Sequence, residues 1–428
     1  MIAAWNRRVA ALGAPLRSLL SSEALNWLAL MVGGVATPWW IASHGGAAHL
    51  ALYGFGASAL AFVAMPALSP LGDRYPKRRL IMAGLWLYVL TAVLLGTLAS
   101  LDRYWLGGAL LAAALNAVAG ALMMPAAQNI AAELVDAERL PEALRLQRSA
   151  QSAGRVLGPA LGGAALALST GLALWLQALL LLAAVLLARR LPRIAQTHEG
   201  AAGGLSVWRR DLRAGLRAAW SMPLERGWTL VNFVSVLFMN PAFSMLVPLK
   251  IKSLGLSGLW LGAAETGLSL GMLAGALGGS AWVAERLGRY ATRVGSTVAQ
   301  GLGLALAGWT EQGWVLVAAL AFVGMANSCG VLVGQTHRML ATPRHFRARL
   351  SSVNMMTIYV AATAGPALAG TALMHWQVGT VYLAFGLLSM CSAIGFFLIP
   401  DFKTLMGLDH EQVKDWYARR HPELFAGP

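Results

Sequence analysis

The chain has 428 residues, of which 57% are hydrophobic and only 12% are charged, and its mean hydropathy is +0.61. A soluble domain carries roughly 25% charged residues, so this composition excludes an ordinary soluble protein and indicates that lipid surrounds most of the chain. The net charge of +15 would favour a nucleic-acid partner if the protein were soluble. The basic residues are concentrated in particular loops, however, so we expect them to set orientation in the membrane and expect no nucleic-acid partner.

Long, continuously apolar segments run through the chain, and they predict membrane-spanning helices rather than the alternating strands of a barrel. The predicted spans lie at residues 16–41, 48–70, 80–100, 105–129, 142–168, 171–188, 227–249, 256–284, 291–308, 313–336, 350–375 and 378–399. The predicted fold is therefore an all-α membrane protein with twelve transmembrane helices. We expect a six-helix bundle at 1–190, a cytoplasmic linker at 191–225, a second six-helix bundle at 226–400 and a cytoplasmic tail at 401–428.

Arginine and lysine are concentrated in the loops that follow the second, sixth, eighth and tenth predicted spans. The loops on the opposite side carry few charges, and Lys250 with Lys252 is the one basic exception there. Those two lysines are typical of side chains that reach the interface from a helix end. Because basic loops lie on the cytoplasmic side of a membrane, both termini are predicted to be cytoplasmic.

The two halves of the chain resemble each other. The sequence GPAL at 158–161 returns at 365–368, and Asp73-Arg74 corresponds in position to Glu285-Arg286. Two six-helix halves related by an internal repeat are a known transporter layout, in which the substrate path runs between the halves.

Two motifs resemble those of the major facilitator superfamily. The stretch SPLGDRYPKRR at 69–79 is similar to the family's loop signature between the second and third helices, although Ser69 and Pro76 stand where glycines are usual. The glycines and proline at 154–163 resemble the fifth-helix signature of the family's antiporters. The strings around 133–141 and 155–163 look most like the branch of enterobactin exporters and macrolide efflux proteins. This resemblance implies the two-bundle fold, a bacterial inner membrane and transport by alternating access.

The resemblance also implies a cytoplasmic gate. Its expected residues are Asp73, Arg74, Arg78, Arg79, Glu285 and Arg286. Asp73 follows a helix end, so its carboxylate can pair with an arginine and accept hydrogen bonds from a helix N-terminus. The alternative is that the basic cluster only sets orientation.

The fifth predicted span combines small residues with charge. Its glycines and proline, Gly154, Gly158, Pro159, Gly162 and Gly163, clear one helix face and permit a bend, so another helix can approach closely. Ordinary small-residue packing is the alternative, and it is compatible with a moving interface.

Arg148, Gln151 and Arg155 share one face of the same span, and charge inside a membrane calls for a partner or a function. Acidic residues within spans are few, so we expect Arg155 to pair with Glu265 and Glu23 to pair with Arg148. Arg148 could instead extend to the membrane surface. Glu23 and Glu265 are also the candidate proton carriers, and permanent structural ion pairs are the alternative.

Polar and aromatic side chains on the first, fourth, fifth, seventh and tenth spans are expected to line a substrate cavity. These residues are Asn26, Trp27, Asn116, Gln151, Asn232, Phe238, Asn240, Asn327 and Gln335. Any single asparagine could instead form a hydrogen bond between helices. No metal-binding or nucleotide-binding motif occurs in the sequence, so we predict no metal, no cofactor and no enzymatic activity.

These features together predict a secondary active transporter. We expect a monomer, surrounded by membrane lipid, that exports an amphiphilic small molecule such as a siderophore or a drug in exchange for protons. Within the same fold, a siderophore importer or a lysolipid flippase is the alternative. A membrane enzyme or receptor-like protein that does not transport is the alternative from another class.

Overall fold

The structure is a computed structural model, and it describes residues 13–68, 71, 75–136, 138–192 and 205–425. All regular secondary structure within these residues is helical, as the sequence predicts. In the first half the helices are α1 Ala14–His44, α2 Gly46–Leu68, α3 Lys77–Ser100, α4 Leu106–Leu134, α5 Leu140–Leu168 and α6 Thr170–Ala188. The shorter helix α7, Leu205–Ser221, follows them.

The second half repeats this series of long helices. They are α8 Pro223–Ser253, α9 Gly258–Leu287, α10 Arg289–Trp309, α11 Gly313–Ala341, α12 Arg347–Leu373 and α13 Val378–Leu398. Four short helices end the described chain: α14 Phe402–Gly407, α15 His410–Val413, α16 Trp416–Arg420 and α17 Pro422–Phe425.

The predicted spans coincide with the long helices to within a few residues at each end. Among the described residues, ten helices are long and apolar enough to cross a membrane by length and composition alone. The other two long helices are α5 and α10, whose polar residues lower their hydropathy: α5 carries Arg148 and Arg155, and α10 carries Arg293. With these two included, the fold is the predicted one of twelve long helices.

The chain divides into two compact units. The first contains Met1–Ala202 together with Gly255–Thr266, so the first turns of α9 are counted with it. Within this unit α1 packs against α5 and α6, α3 packs against α4 and α6, and α2 packs against α4. Its core consists mainly of buried leucine, alanine and valine side chains from α1 and α3–α6.

The second unit contains Gly203–Leu254 and Gly267–Pro428. In it α8 packs against α12, and α10 packs against α11 and α13. Both α8 and α9 contain one π-helical turn, at Ala242–Leu246 and Gly275–Gly279. The turn in α9 includes Gly278 with φ of 140°, a left-handed conformation that favours glycine, and such a turn bends a helix.

The linker and tail are more ordered than their polar sequences indicate. The predicted linker contains α7, which packs against α12. The tail helices bury Phe402, Leu405, Tyr417 and Phe425 in the core of the second unit, beside Trp228. The tail is therefore part of the folded unit.

The glycine row of α5 allows close approach, as its spacing predicts. A Cβ atom at Gly154 would lie 2.7 Å from the carbonyl oxygen of Ala24, and one at Gly158 would lie 2.9 Å from that of Leu28. A Cβ atom at Gly163 would lie 2.5 Å from the Cα atom of Gly262. The backbone of α5 thus contacts α1 along one face and the start of α9 at Gly163.

We predict that Gly163→Ala lowers the free energy of unfolding by about 1–3 kcal/mol, because backbone rather than a flexible side chain occupies the space of the new methyl group. Thermal unfolding of the protein in detergent measures the change. The control is Gly34→Ala in α1, where the methyl group would meet no atom within 4 Å. A loss of stability no larger in Gly163→Ala than in Gly34→Ala would contradict the close contact.

Candidate functional site

A buried carboxylate joins α1 to α5 in the first unit. The side chain of Glu23 is 4% exposed. Its Oε1 atom accepts a hydrogen bond from Nε2 of Gln147 at 2.6 Å, and its Oε2 atom accepts one from Nε2 of Gln151 at 2.8 Å. Nε2 of Gln147 also donates to the carbonyl oxygen of Ala127 in α4, at 2.9 Å. Two neutral amides therefore hold the carboxylate.

The spacing along α5 produces this arrangement. Gln147, Gln151, Gly154 and Gly158 follow one another at intervals of three or four residues, so they lie on one helix face. The glycines bring the backbones of α1 and α5 together, and the amides one and two turns earlier then reach Glu23. Close packing and polar contact thus come from a single stripe of α5.

The predicted pairing of Glu23 with Arg148 is wrong in this structure. Arg148 is exposed, whereas its neighbour Gln147 is 3% exposed and contacts the carboxylate. Successive helix residues differ in direction by about 100°, so the face that presents position 147 to α1 turns position 148 away. Gln147 was missed because a neutral amide is a weak signal in sequence.

The predicted pairing of Arg155 with Glu265 is also not formed. The guanidinium carbon of Arg155 lies 3.9 Å from the ring centroid of Trp27, which makes a cation–π contact between α5 and α1. Glu265 is half-buried and takes part in no hydrogen bond or ion pair among the described residues. An aromatic face, rather than a carboxylate, is the partner of this arginine.

Two further predicted cavity residues lie in the first unit. Oδ1 of Asn116 in α4 accepts a hydrogen bond from Oγ1 of Thr91 in α3 at 2.8 Å, which is the interhelical role that the sequence left open. Asn26 is buried beside Glu23 in α1, and its Oδ1 atom has no hydrogen-bond partner within the described chain. The Oδ1 atom of Asn26 is therefore a buried hydrogen-bond acceptor that no described donor satisfies.

A cation in α10 organises polar contacts within the second unit. Nη2 of Arg293 donates to Oδ1 of Asn232 in α8 at 2.8 Å, and Nη1 donates to Oγ1 of Thr297 at 2.8 Å. The guanidinium carbon lies 4.6 Å from the ring centroid of Phe396. Arg293 therefore lies inside α10, where its guanidinium holds the Asn232 side chain of α8.

The remaining cavity candidates of the second unit form a mixed group. Nδ2 of Asn327 donates to Oε1 of Gln300 at 3.1 Å, and Nε2 of Gln300 contacts Sδ of Met239. Phe238 packs edge-on against Phe385, with ring centroids 5.4 Å apart. Two candidates differ from these: the carbonyl oxygen of Asn240 accepts a hydrogen bond from Ser244, and Gln335 is exposed.

Sequence reasoning missed a buried ion network in the second unit. The Glu225 side chain is fully buried at the start of α8 and pairs with Arg338 of α11. The hydroxyl of Tyr417 in the tail donates to Oε2 of Glu225 at 2.7 Å, and Nη1 of Arg338 donates to Oδ1 of Asn354 in α12 at 2.7 Å. Burial raises the pKa of Tyr417 well above its usual value, and the Glu225 carboxylate raises it further.

The structure describes only some of the predicted gate residues. Asp73 and Arg74 lie outside the described residues. Nη2 of Arg78 donates to the carbonyl oxygen of Arg189 at 2.9 Å, and Arg79 is exposed. Lys77 forms an ion pair with Glu133 of α4, a contact that the sequence did not predict. In the second unit Glu285 and Arg286 are exposed, and Arg286 lies 5.0 Å from the ring centroid of Trp282.

Comparison with known proteins identifies the class. The sequence matches the Major Facilitator Superfamily over residues 19–282 and 266–424. No curated protein sequence matches significantly. Among solved structures, a point mutant of the nucleoside transporter NupG aligns with a TM-score of 0.67 and 16% identity, covering 90% of this chain and 100% of that one.

Two other solved transporters are similar in fold. A POT family transporter in complex with 5-aminolevulinic acid aligns with a TM-score of 0.68 and 12% identity over 90% of this chain and 96% of its own. A D-xylose-proton symporter aligns with a TM-score of 0.64 and 14% identity, covering 91% of this chain and 97% of that one. At these identities the likeness concerns the fold alone.

The chain is thus a multi-pass membrane protein, and it belongs to the major facilitator superfamily. Its family and its fold make it a secondary transporter rather than an enzyme.

We predict that Tyr417→Phe lowers the free energy of unfolding by about 1.5 kcal/mol, because it removes a buried hydrogen bond to a charged carboxylate. Thermal unfolding in detergent measures this change. Tyr359→Phe is the control, since the Tyr359 hydroxyl forms no hydrogen bond among the described residues. Equal stability of the two variants would show that the tail hydroxyl does not stabilise the ion network.

Proposed function

We propose that this chain exports an amphiphilic small molecule, of the siderophore or hydrophobic-drug type, in exchange for protons. The observation that carries the proposal is the environment of Glu23. This carboxylate is buried in α1, and the groups that bond it are the neutral amides of Gln147 and Gln151. Ionisable residues inside membrane helices mark proton relays when no ion pair fixes their charge.

The contacts of Glu23 suit a reversible proton carrier. A glutamine amide can donate N–H to a carboxylate, and its carbonyl oxygen can accept from a protonated carboxyl group after the amide rotates. The same two glutamines can therefore form hydrogen bonds with Glu23 in both its ionised and its protonated state. Glu265 is the second candidate carrier, because no described residue bonds it.

The choice of substrate rests on Arg155 and Trp27. Arg155 is exposed and stacked on the partly buried indole of Trp27, so the pair presents a cation and an aromatic face together. Pockets for amphiphilic ligands combine aromatic surface with a few oriented polar groups. An anionic aromatic or metal-chelating molecule fits this pair best.

Alternating access and orientation belong to the same proposal. The internal repeat, the glycine row of α5 and the charged loop at 69–79 support rocking of two halves, with Asp73, Arg74, Arg78, Arg79, Glu285 and Arg286 as gate residues. The basic loops support cytoplasmic termini in a bacterial inner membrane. The motif strings at 133–141 and 155–163 favour the enterobactin-exporter and macrolide-efflux branch.

Transport in inverted membrane vesicles with an imposed inside-acid pH gradient tests this proposal. We expect uptake of an iron-free catecholate siderophore or of a macrolide to follow the gradient and to stop when an ionophore removes it. Glu23→Gln removes the proton-accepting carboxylate but keeps an amide of similar shape, so gradient-driven uptake should fall at least about tenfold. Glu265→Gln tests the second carrier in the same way.

The matched control is Glu142→Gln, which neutralises a carboxylate in the first turn of α5 that takes no part in the hydrogen bonds of Glu23. Exchange of substrate without a gradient reports whether each variant still binds and moves its cargo. If uptake ignores the gradient, and both Glu23→Gln and Glu265→Gln behave like Glu142→Gln, proton antiport is wrong. Uptake into right-side-out vesicles only would favour the importer alternative.

We predict that Arg155→Gln raises the KM for an anionic substrate at least about fivefold, because it removes the only charge of the Arg155–Trp27 pair. Trp27→Phe should have a smaller effect, since phenylalanine keeps an aromatic face for the arginine. Concentration-dependent uptake in the same vesicles gives both values. Equal KM values for Arg155→Gln and the unmodified protein would remove Arg155 from the binding site.

A further inference from the structure

A cavity within the second unit is lined by none of the described residues that contact Glu23 or Arg155. Its volume is about 710 Å³. It is bounded by the end of α9, the start of α10, the end of α11 and the tail helices α14 and α15. The cavity therefore lies where the long helices end, at the level of a membrane surface rather than of the hydrocarbon.

The charges around this cavity are mainly basic. Arg289, Lys403, His337 and His410 line it, and Glu285 is the one acidic residue among the described lining residues. The rings of His337 and His410 lie 5.5 Å apart. These groups come from three separate parts of the chain, and the fold brings them to one space.

The two permanent cations have unused donors. Nη1 of Arg289 donates to the carbonyl oxygen of Leu408 at 2.7 Å, which fixes the arginine beside the tail. No other hydrogen bond of this guanidinium occurs among the described residues, and Lys403 is exposed without a hydrogen bond or ion pair there. Both side chains can therefore bond an anion that enters the cavity.

The start of α10 also favours an anion in the cavity. Gly288 precedes the helix with φ of 80° and provides no side-chain cap, and the first turn contains no acidic residue. Gly288, Arg289 and Tyr290 all line the cavity. An anion placed there would be stabilised by the helix N-terminus as well as by the cations, whereas Arg289 by itself opposes the helix dipole.

One wall of the cavity is apolar and open to the outside. Leu287 is 64% exposed and Leu332 is 39% exposed, and both line the cavity, with Ala284 and Val333 beside them. Helix surfaces of this kind face acyl chains in a membrane protein. A ligand that carries an anionic group at one end and an apolar chain at the other matches the basic and the apolar sides together.

We propose that this cavity binds an anionic phosphate group, held by Arg289, Lys403 and His410 where α9, α10, α11 and the tail meet. An anionic phospholipid presents such a group with an acyl chain that can lie along Leu287 and Leu332. A soluble phosphate presents the same group without the chain. Basic pockets between transmembrane helices at a membrane surface are suited to anionic lipid headgroups.

Binding to the purified full-length protein tests the proposal without any transport measurement. The protein in an uncharged maltoside detergent is titrated with phosphatidylglycerol, with inorganic phosphate and with phosphatidylcholine, and the shift in thermal unfolding is recorded. Phosphatidylcholine is zwitterionic: its choline cation offsets the charge of its phosphate, so a site lined by cations should bind it more weakly than phosphatidylglycerol. We expect Lys403→Gln to weaken binding of the anionic probe about fivefold, and Arg289→Gln to weaken it by a similar factor. Lys414→Gln, which neutralises an exposed tail lysine outside the cavity lining, is the matched control and should bind normally.

The outcomes separate the two sources of phosphate. A shift with phosphatidylglycerol but not with inorganic phosphate, lost in Lys403→Gln and kept in Lys414→Gln, supports the site with lipid as its ligand. A shift with inorganic phosphate that depends on the same residue supports the site with a soluble ligand. Lys403 is exposed, so its substitution leaves the fold intact even if Arg289→Gln releases the tail. Equal binding by Lys403→Gln and Lys414→Gln, or equal shifts with phosphatidylglycerol and phosphatidylcholine, would overturn the proposal.

Discussion

Lipid offers no hydrogen bonds, so a polar side chain within a long helix is stabilised chiefly by partners inside the protein. Much of the architecture follows from this constraint. Glu23 determines which face of α5 meets α1, because the amides of Gln147 and Gln151 have to reach it. Arg293 connects α10 to α8 through Asn232. These contacts fix helix rotation, which apolar packing against equally apolar lipid specifies only weakly.

Small residues make those polar contacts possible. Gly154 and Gly158 continue the stripe of α5 that carries the two glutamines, and they let the backbones of α1 and α5 approach. The second unit uses the same device: a Cβ atom at Gly365 in α12 would lie 2.5 Å from the carbonyl oxygen of Leu237 in α8. The repeated Gly-Pro pair therefore has the same packing role in each half.

The charged residues break this repeat. Arg148 and Arg155 have Met355 and Ala362 at the corresponding places of the second half, so the cation beside the helix-packing stripe occurs only in α5. The second unit instead concentrates its buried charge at Glu225 and Arg338, which the tail residue Tyr417 completes. One half thus carries an exposed cation and a buried carboxylate held by amides, while the other carries a closed ion network.

The sequence by itself determined the helical class, the twelve spans, the family and the glycine face of α5, because each follows from local composition, periodicity or a contiguous motif. It also placed Glu23, Gln151 and Arg155 among the residues of interest. Only the tertiary structure decided their partners: Gln147 rather than Arg148 for Glu23, and Trp27 rather than a carboxylate for Arg155. The contact of Tyr417 with Glu225 joins the tail to the start of α8, so no local pattern could reveal it. Partners are set by helix rotation and by contacts distant in sequence, and a few degrees of rotation exchange one neighbour for another.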